Sequence, residues 1–333
     1  MTEKSKEEGT VLLTTLLIMS IMAVISIAII EDIKFAVKKT INTDHYAQTH
    51  WYLMGAEDYI ENFISNQYDE LDVSIKNDTL RKSLSLSYPY DGGMISANIT
   101  DGTDCFSLGS LITVEGRADV AGRRQFEYLM GSLGIPEYKA KKISYSLTDW
   151  MDADTQRELL GAEDGDYLRR PIPHRTPNSI ISSVMELRSI EGIDENIYKR
   201  IRPHICVRMQ GSRTKFNINT SEAKDAFLLS SILGGSDFYE TALAIISERP
   251  KKGYENIQEL RSSQAFQNFE GDSVAYDQIV FEPSFLWVEV KVDYRNASRV
   301  VSYEYDVSGG NISKIYKGWG YESFRPKLQK KEL

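Results

Sequence analysis

The sequence predicts an α+β fold: a long N-terminal helix, antiparallel strands near residue 90 and near the C-terminus, and a large helical region between the two sets of strands. Three observations carry this. An uncharged N-terminal run passes without a proline into an amphipathic helical pattern. The middle of the chain shows helical spacing punctuated by glycine breaks. Residues 285–292 and 299–307 alternate as strands do.

The first element is the clearest. Val11 to Ile30 is a run of 20 residues without a charge. At roughly 1.5 Å per residue such a helix crosses a hydrocarbon core about 30 Å thick. A soluble helix would carry a polar stripe, and none is present. A cleaved secretory signal has a shorter apolar core ending at small residues, whereas here the chain runs on as Glu31-Asp32-Ile33-Lys34. A membrane anchor is the better reading. Beyond it Phe35, Val37, Ile41, Trp51, Tyr52, Ala56, Tyr59, Ile60 and Phe63 keep helical spacing, and the first proline is Pro89. One helix over about residues 10–66 accounts for this, its outer half lying along a globular domain. Lysines and acids flank both ends of the run, so the positive-inside rule does not set its orientation.

Residues 84–101 read as short strands around a turn at Asp91–Gly93. Two strand-to-helix corners echo each other, at Phe106-Ser107-Leu108-Gly109 and at Phe216-Asn217-Ile218-Asn219. Between them Arg124–Leu133 and Glu137–Trp150 form one helical pair across Gly134-Ile135-Pro136. Ser182–Ile190 and Glu195–Ile201 form another across Gly192-Ile193-Asp194. Both pairs look like helix-hairpin-helix units of the sterile-alpha-motif-like kind. Ala223–Leu233, Phe238–Glu248 and Ile257–Arg261 continue the helical character. Strands at Phe285–Val292, Arg299–Val307 and Ile312–Tyr316 end the fold as an antiparallel meander.

A chain of 333 residues with 41% apolar content can bury two domains, or one domain with a large insertion. A net charge of −9 disfavours phosphate backbones, which bind through Lys and Arg. Cys105 and Cys206 are the two cysteines, and no CxxC or HExxH spacing occurs. An oxidising compartment permits one bridge, but the sequence does not show whether it forms. The histidines His45, His50, His174 and His204 stand in no arrangement with a nucleophile.

Asp149, Asp152, Asp154, Glu163, Asp164 and Asp166 place six carboxylates within 18 positions. Asp149 and Asp152 can share a helix face. Such a density repels itself unless water or a cation neutralises it, and hard oxygen ligands in a loop with Gly161 and Gly165 suit calcium. The plain alternative is a solvated acidic loop in which Asp149 or Asp154 acts as a cap. Arg169, Arg170, His174 and Arg175 follow as a basic loop, read as ordinary surface.

Glu8-Gly9-Thr10 ahead of the apolar run resembles the prepilin-peptidase site of type IV pilins and pseudopilins, in which Met1–Gly9 would be the leader and Thr10 the new N-terminus. The fifth position after that site is Thr14, where most pilin-like helices carry Glu. In lipid a Glu needs a partner, and a subunit with nothing stacked above it has no neighbouring amine to neutralise. With Ser146-Leu147-Thr148-Asp149-Trp150-Met151-Asp152-Ala153-Asp154, Gly161-Ala162-Glu163-Asp164, Tyr167, Pro177-Asn178, Glu186-Leu187-Arg188 and Asn217-Ile218-Asn219-Thr220, the chain resembles the general secretion pathway protein K family over nearly its whole length. These are the large minor pseudopilins of type II secretion. Ser107-Leu108-Gly109 stands where the family tends to have a second Asn-Leu-Asn.

The resemblance implies a pilin-like helix on an antiparallel sheet with an inserted helical domain. Its organisation would be a leader (1–9), an N-terminal helix (10–66), a first sheet part (67–117), a helical insertion (118–278), completing strands (279–325) and a tail (326–333). It implies no enzyme activity, a single-pass place in the bacterial inner membrane with the globular part in the periplasm, and calcium in the helical domain. The implied partners are membrane lipid, prepilin peptidase, I- and J-type minor pseudopilins and other type II secretion components. The competing class, a membrane-tethered helix-hairpin-helix binder of nucleic acid, would grip phosphate at Gly192. There Glu191 and Asp194 repel it. A calcium-dependent hydrolase would need an organised cleft that the sequence does not reveal.

Overall fold

The computed structural model describes residues 3–68, 70–267, 269, 276–309 and 312–320, with the side chains of 3–9 and of Gln67 left aside. The expected leader residues Met1 and Thr2 and the expected tail 326–333 lie outside the described residues. Helix α1 runs from Glu3 to Phe63 and closes in a π-helical turn at Ile64–Tyr68, so the single N-terminal helix is borne out. Two compact units follow from the packing. Among the described residues, one gathers those of 1–58, 87–96 and 291–299, and the other those of 59–86, 97–290 and 300–320.

Helix α2 (Val73–Arg81) is capped by Asp72, whose carboxylate accepts from the Ser74 amide at 2.8 Å. Strands β1 (Leu84–Tyr90) and β2 (Gly93–Asp101) form the expected hairpin around Asp91-Gly92. Gly92 there has φ +82°, and a methyl on Gly93 would overlap the Asp293 carbonyl, so both turn residues are confined to glycine. Short β3 (Phe106–Ser107) leads to α3 (Val120–Ser132) and α4 (Glu137–Met151), then the single turn α5 (Asp164–Tyr167). Next come α6 (Glu195–Ile201), β4 (Ile205–Cys206), β5 (Phe216–Asn217), α7 (Ala226–Leu233), α8 (Tyr239–Ser247), α9 (Ile257–Ser262) and β6 (Ile279–Val280). The chain returns as β7 (Phe285–Tyr294), β8 (Ala297–Asp306) and β9 (Ser313–Trp319).

The main sheet has the order β1-β2-β7-β8-β9. Strand β2 meets β7 antiparallel: the Gly102 amide donates to the Phe285 carbonyl at 2.8 Å, and at the far end Gly93 abuts Asp293. Strand β9 runs antiparallel to β8, with Val301 opposite Trp319 and Asp306 opposite Ser313. Two further pairs are parallel, β3 with β4 and β5 with β6. The two strand-to-helix corners foreseen at Phe106 and Phe216 each enter one of these pairs.

In the smaller unit Tyr52, Tyr90 and Tyr294 pack ring to ring, Tyr52 and Tyr90 with centroids 4.2 Å apart, and Asn296 bonds to Asn42 at 2.6 Å. In the larger unit the two faces of β8 have different company. Tyr303 and Tyr305 share a face with Lys314, which pairs with Glu61 at 2.9 Å. Glu304, on the opposite face, takes Arg208 at 3.0 Å, with both side chains 1% exposed. The Arg208 guanidinium also donates to the Gly102 carbonyl at 2.6 Å and lies 3.6 Å from the Phe285 ring centroid. The helical region has its own core, in which α3 packs on α4 and α7, and α7 on α8, around Phe106, Phe126, Leu129, Leu147 and Leu229.

One expected helix differs. Residues Ser182–Ile190 form only a 3₁₀ segment, Val184–Ser189. The Glu186 carboxylate accepts from the Ser182 and Ser183 amides, and Pro177 and Gly192 bound the stretch. Cys105 and Cys206 are joined as a disulfide, their Cα atoms 5.7 Å apart. It closes a separation of 101 residues at the point where β3 meets β4. Replacing both cysteines by serine is expected to remove about 2–5 kcal/mol of stability. Guanidinium unfolding followed by tryptophan fluorescence checks this, and an unchanged midpoint would deny the bridge a structural role.

Candidate metal centre

Helix α4 aims carboxylates at one place because it ends there. Asp149 sits in its last turn, and Asp152 is its C-cap, its amide donating to the Thr148 carbonyl at 2.8 Å. The chain then leaves as an exposed loop and returns through Glu163, the N-cap of α5. Glu163 and Asp166 form a reciprocal capping box on that turn. Oxygen atoms of Asp152, Asp154 and Glu163 thereby come within 4.8 Å of one another. The negative end of the α4 dipole faces the same place and favours a cation there.

The surroundings hold this geometry. Ala153 donates its amide to the Gly116 carbonyl at 3.0 Å, the Asn178 side chain donates to the Asp154 carbonyl at 2.7 Å, and Asp154 accepts from the Gln156 amide at 2.7 Å. Trp150 packs edge-on against Tyr167 at 5.1 Å. Asp149 is fully buried and accepts from the Glu158 amide at 3.2 Å. A methyl at Gly161 would overlap the Asp149 carboxylate, so this backbone approach requires glycine.

Electrostatics show what the cluster lacks. Burial, reinforced by neighbouring carboxylates, pushes Asp149 and Asp152 each up to about 7, and burial likewise raises Glu163. Asp152 and Glu163 are each only 5% exposed. Asp152 Oδ1 and Glu163 Oε1 are buried without a hydrogen-bond partner among the described residues. Buried carboxylate oxygens without donors are costly. A hard divalent cation supplies what protein donors do not, so the donor set fits one.

The six carboxylates singled out in the sequence therefore divide. Asp152, Asp154 and Glu163 converge, with Asp149 one helical turn behind. Asp164 and Asp166 turn to arginines instead. Asp164 pairs with Arg175 at 3.2 Å and is held below the usual carboxylate range first by the Thr176 amide. Asp166 faces Arg157 at 3.4 Å and Arg169 at 3.8 Å. The basic loop read as plain surface is thus tied to the acidic one through exposed pairs, while its Arg170 takes Glu191 at 2.6 Å. Sequence reading passed over Glu158, whose carboxylate binds Arg123 at 2.6 Å and whose amide serves Asp149. Only its position between Asp154 and Glu163 hinted at it.

The apolar segment of α1 is equally explicit. Every large apolar side chain from Val11 to Ile30 is exposed, and the helix is long and apolar enough to cross a membrane. The hydroxyls within it bond to carbonyls one turn back, Thr14 to Val11 at 2.9 Å and Ser20 to Leu17 at 2.8 Å. They therefore carry no unmet donor into lipid.

The family model described as type II secretion system (T2SS), protein K matches residues 104–210, a stretch that holds the whole carboxylate cluster. Type II secretion system protein K of Pectobacterium carotovorum subsp. carotovorum is 30% identical over 265 residues, spanning 78% of this chain and 80% of the relative. The chain belongs to the type II secretion system protein K family. It is a minor pseudopilin of type II secretion. Another protein K, from Klebsiella pneumoniae, is 28% identical and shares 79% of this chain and 81% of its own length. In three dimensions this protein K family member is similar to a chain in the crystal structure of the GspK–GspI–GspJ complex from the enterotoxigenic Escherichia coli type 2 secretion system. The TM-score is 0.72 at 22% identity, covering 85% of this chain and 99% of that one. The likeness bears out the mixed fold of long helix, antiparallel sheet and helical domain.

Substituting Gly161→Ala should displace the Asp149 carboxylate and cost about 1–3 kcal/mol. A thermal melt of the full chain reads this, and a melting temperature equal to the parent's would show that the close approach is not needed.

Proposed function

We propose that this minor pseudopilin caps the tip of the pseudopilus, anchored by α1 in the inner membrane with its folded part in the periplasm, and that it initiates assembly with I- and J-type minor pseudopilins and performs no catalysis. The observation that carries the reading is Thr14. In the apolar helix its hydroxyl is satisfied by its own backbone at Val11, so this position asks nothing of a neighbouring subunit. A glutamate there would need a cationic partner to be tolerated in lipid. A subunit with no companion above it suits a self-sufficient residue. The partner assignment is supported by the company of the similar GspK chain in its complex. The disulfide is in keeping with an oxidising compartment. Cleavage between Gly9 and Thr10 by prepilin peptidase would free Thr10 as the mature N-terminus. We read residues 118–278 as the helical insertion, since strands of the main sheet precede and follow it.

The carboxylate centre is read as a calcium site that organises this insertion. Asp152, Asp154 and Glu163 would hold the ion, with Asp149 positioned behind them by the Glu158 amide. Asp164 and Asp166 would anchor the flanking turn through Arg175, Arg157 and Arg169. Calcium supplies charge neutralisation and oxygen coordination; the chain supplies the end of α4 and the capped start of α5. No step of chemistry on a substrate is required of it.

Co-expression with I- and J-type partners and purification from membranes is expected to yield a discrete complex with one copy of each, in which this chain begins at Thr10 by mass spectrometry. A chain still carrying Met1–Gly9, or one that purifies alone, would sink the assembly reading. Chelation of calcium is expected to lower the melting temperature of the purified chain by several degrees, on the order of 2–4 kcal/mol, and Asp152→Asn should remove most of that response. A melt indifferent to chelator would discard the metal and leave assembly standing.

A further inference from the structure

The loop between α4 and α5 borders an open cleft of about 530 Å³, a size at which clefts commonly hold ligand groups. Gly161 lines it, and Asp149 lies behind Gly161, where a methyl would overlap its carboxylate; Asp149 itself is not part of the lining. One wall is aliphatic. Leu159 is 89% exposed and Leu160 41%, and neither contributes to the helical core. The other wall holds Lys142, Arg157, Asp166, Arg169 and Glu191. Its cations outnumber its acids. Lys142 and the neighbouring Arg170 both take Glu191, at 2.9 and 2.6 Å. Arg157 and Arg169 both turn to Asp166, at 3.4 and 3.8 Å, and that carboxylate also accepts from the Glu163 amide at 3.3 Å. Four cations thus share two carboxylates, in a chain whose net charge is −9. Each guanidinium carries five N–H donors. Among the described residues, Arg157 spends one nitrogen on Asp166, and Arg169 spends Nε on the Gly165 carbonyl at 2.6 Å. Their side chains are 54% and 79% exposed, so most of their donors are unspent.

We infer that this cleft receives a segment of a partner protein in which an acidic side chain stands between aliphatic ones. Its carboxylate bridges Arg157 and Arg169 from the solvent side, and its aliphatic neighbours cover Leu159 and Leu160. Arginine suits the first task because its planar fork meets a carboxylate with two parallel charge-assisted bonds. The leucines suit the second, since apolar cover around a charged contact keeps water from competing with it. Charge and shape together select a protein segment over an anionic lipid surface. Asp166 and Glu191 stand among the cations and repel a continuous sheet of phosphates, which is held by clusters of roughly 4–8 basic residues. A cleft admits single side chains, whereas a lipid surface needs an open face.

Isothermal titration of the full chain in neutral detergent, at low salt with calcium present, tests this with the capped peptide acetyl-Leu-Glu-Leu-Leu-amide. Saturable binding is expected. Exchanging the peptide's Glu for Gln should weaken it about tenfold or more, and so should the double substitution Arg157→Gln and Arg169→Gln. Leu159→Ser changes a side chain that stands almost wholly in water. It should weaken binding about threefold or more with the melting temperature unchanged, which separates lost contact from lost fold. Absence of saturable binding, equal binding of the Gln peptide, or equal peptide binding by either variant would overturn the docking site. Tighter binding of short-chain phosphatidylglycerol than of the peptide would also overturn it and give the cleft to lipid. Each of these outcomes leaves the membrane anchor, the assembly and the calcium centre standing.

Discussion

The pairing of β2 with β7 is the constraint on which the larger unit depends. It joins strands that lie before and after the helical region, Thr100 and Trp287 being 187 residues apart in sequence. Closing so long a loop costs conformational entropy, though only logarithmically in its length. The local geometry shows how that cost is offset. The Thr103 hydroxyl accepts from the Ser284 amide at 3.0 Å, Arg208 ties the Gly102 carbonyl to Glu304, and the Cys105–Cys206 bridge lies between. Two chain crossings into the helical region are fastened at one neck by covalent, ionic and hydrogen bonds together. Inside the neck, the Arg208–Glu304 pair is buried and so contributes little net stability as a pair. Removing either member would strand a charge at a cost of about 3–5 kcal/mol.

With the neck closed, the helical region can hold a feature that opposes stability. Carboxylates at the end of α4 and the start of α5 are crowded enough to push Asp149 and Asp152 far above their usual range. The fold does not relieve this with arginine. Its arginines go to Asp164, Asp166, Glu158 and Glu191, leaving oxygens of Asp152 and Glu163 without donors. That allocation is the reason we propose a cation site here rather than a solvated acidic loop. A merely acidic surface would face water or salt-bridge evenly, whereas here neutralised and unneutralised carboxylates are sorted in space.

Local signals were legible in the sequence. The continuous helix through Ile60, the turn at Asp91-Gly92 and the break at Gly134-Ile135-Pro136 each follow from periodicity or backbone chemistry within a few residues. Three-dimensional facts were not. Cys105 and Cys206 meet because β3 pairs with β4, a contact that no spacing rule announces. The division of six carboxylates into three that converge, one that lies behind them and two that pair with arginine depends on which way α5 turns after Glu163. The 3₁₀ path of Val184–Ser189 was not legible either, because the Ser183–Glu186 capping box that opens it also opens α-helices.

The long helix shows how a single element serves two solvents. Between Val11 and Ile30 it presents apolar side chains on every side, as a segment in lipid must, and its few hydroxyls spend their hydrogen bonds inside the helix. From Leu53 onward it buries one face, Leu53, Ala56, Ile60 and Ile64, and carries Glu61 to meet Lys314 and Tyr305. The change is from satisfaction within the helix to satisfaction by partners. At Thr14 the pattern excludes any demand on a neighbour, because a hydroxyl that already bonds Val11 leaves no charge to be met. At Thr14 such a helix makes no electrostatic demand on a neighbour, which is what the tip position proposed above calls for.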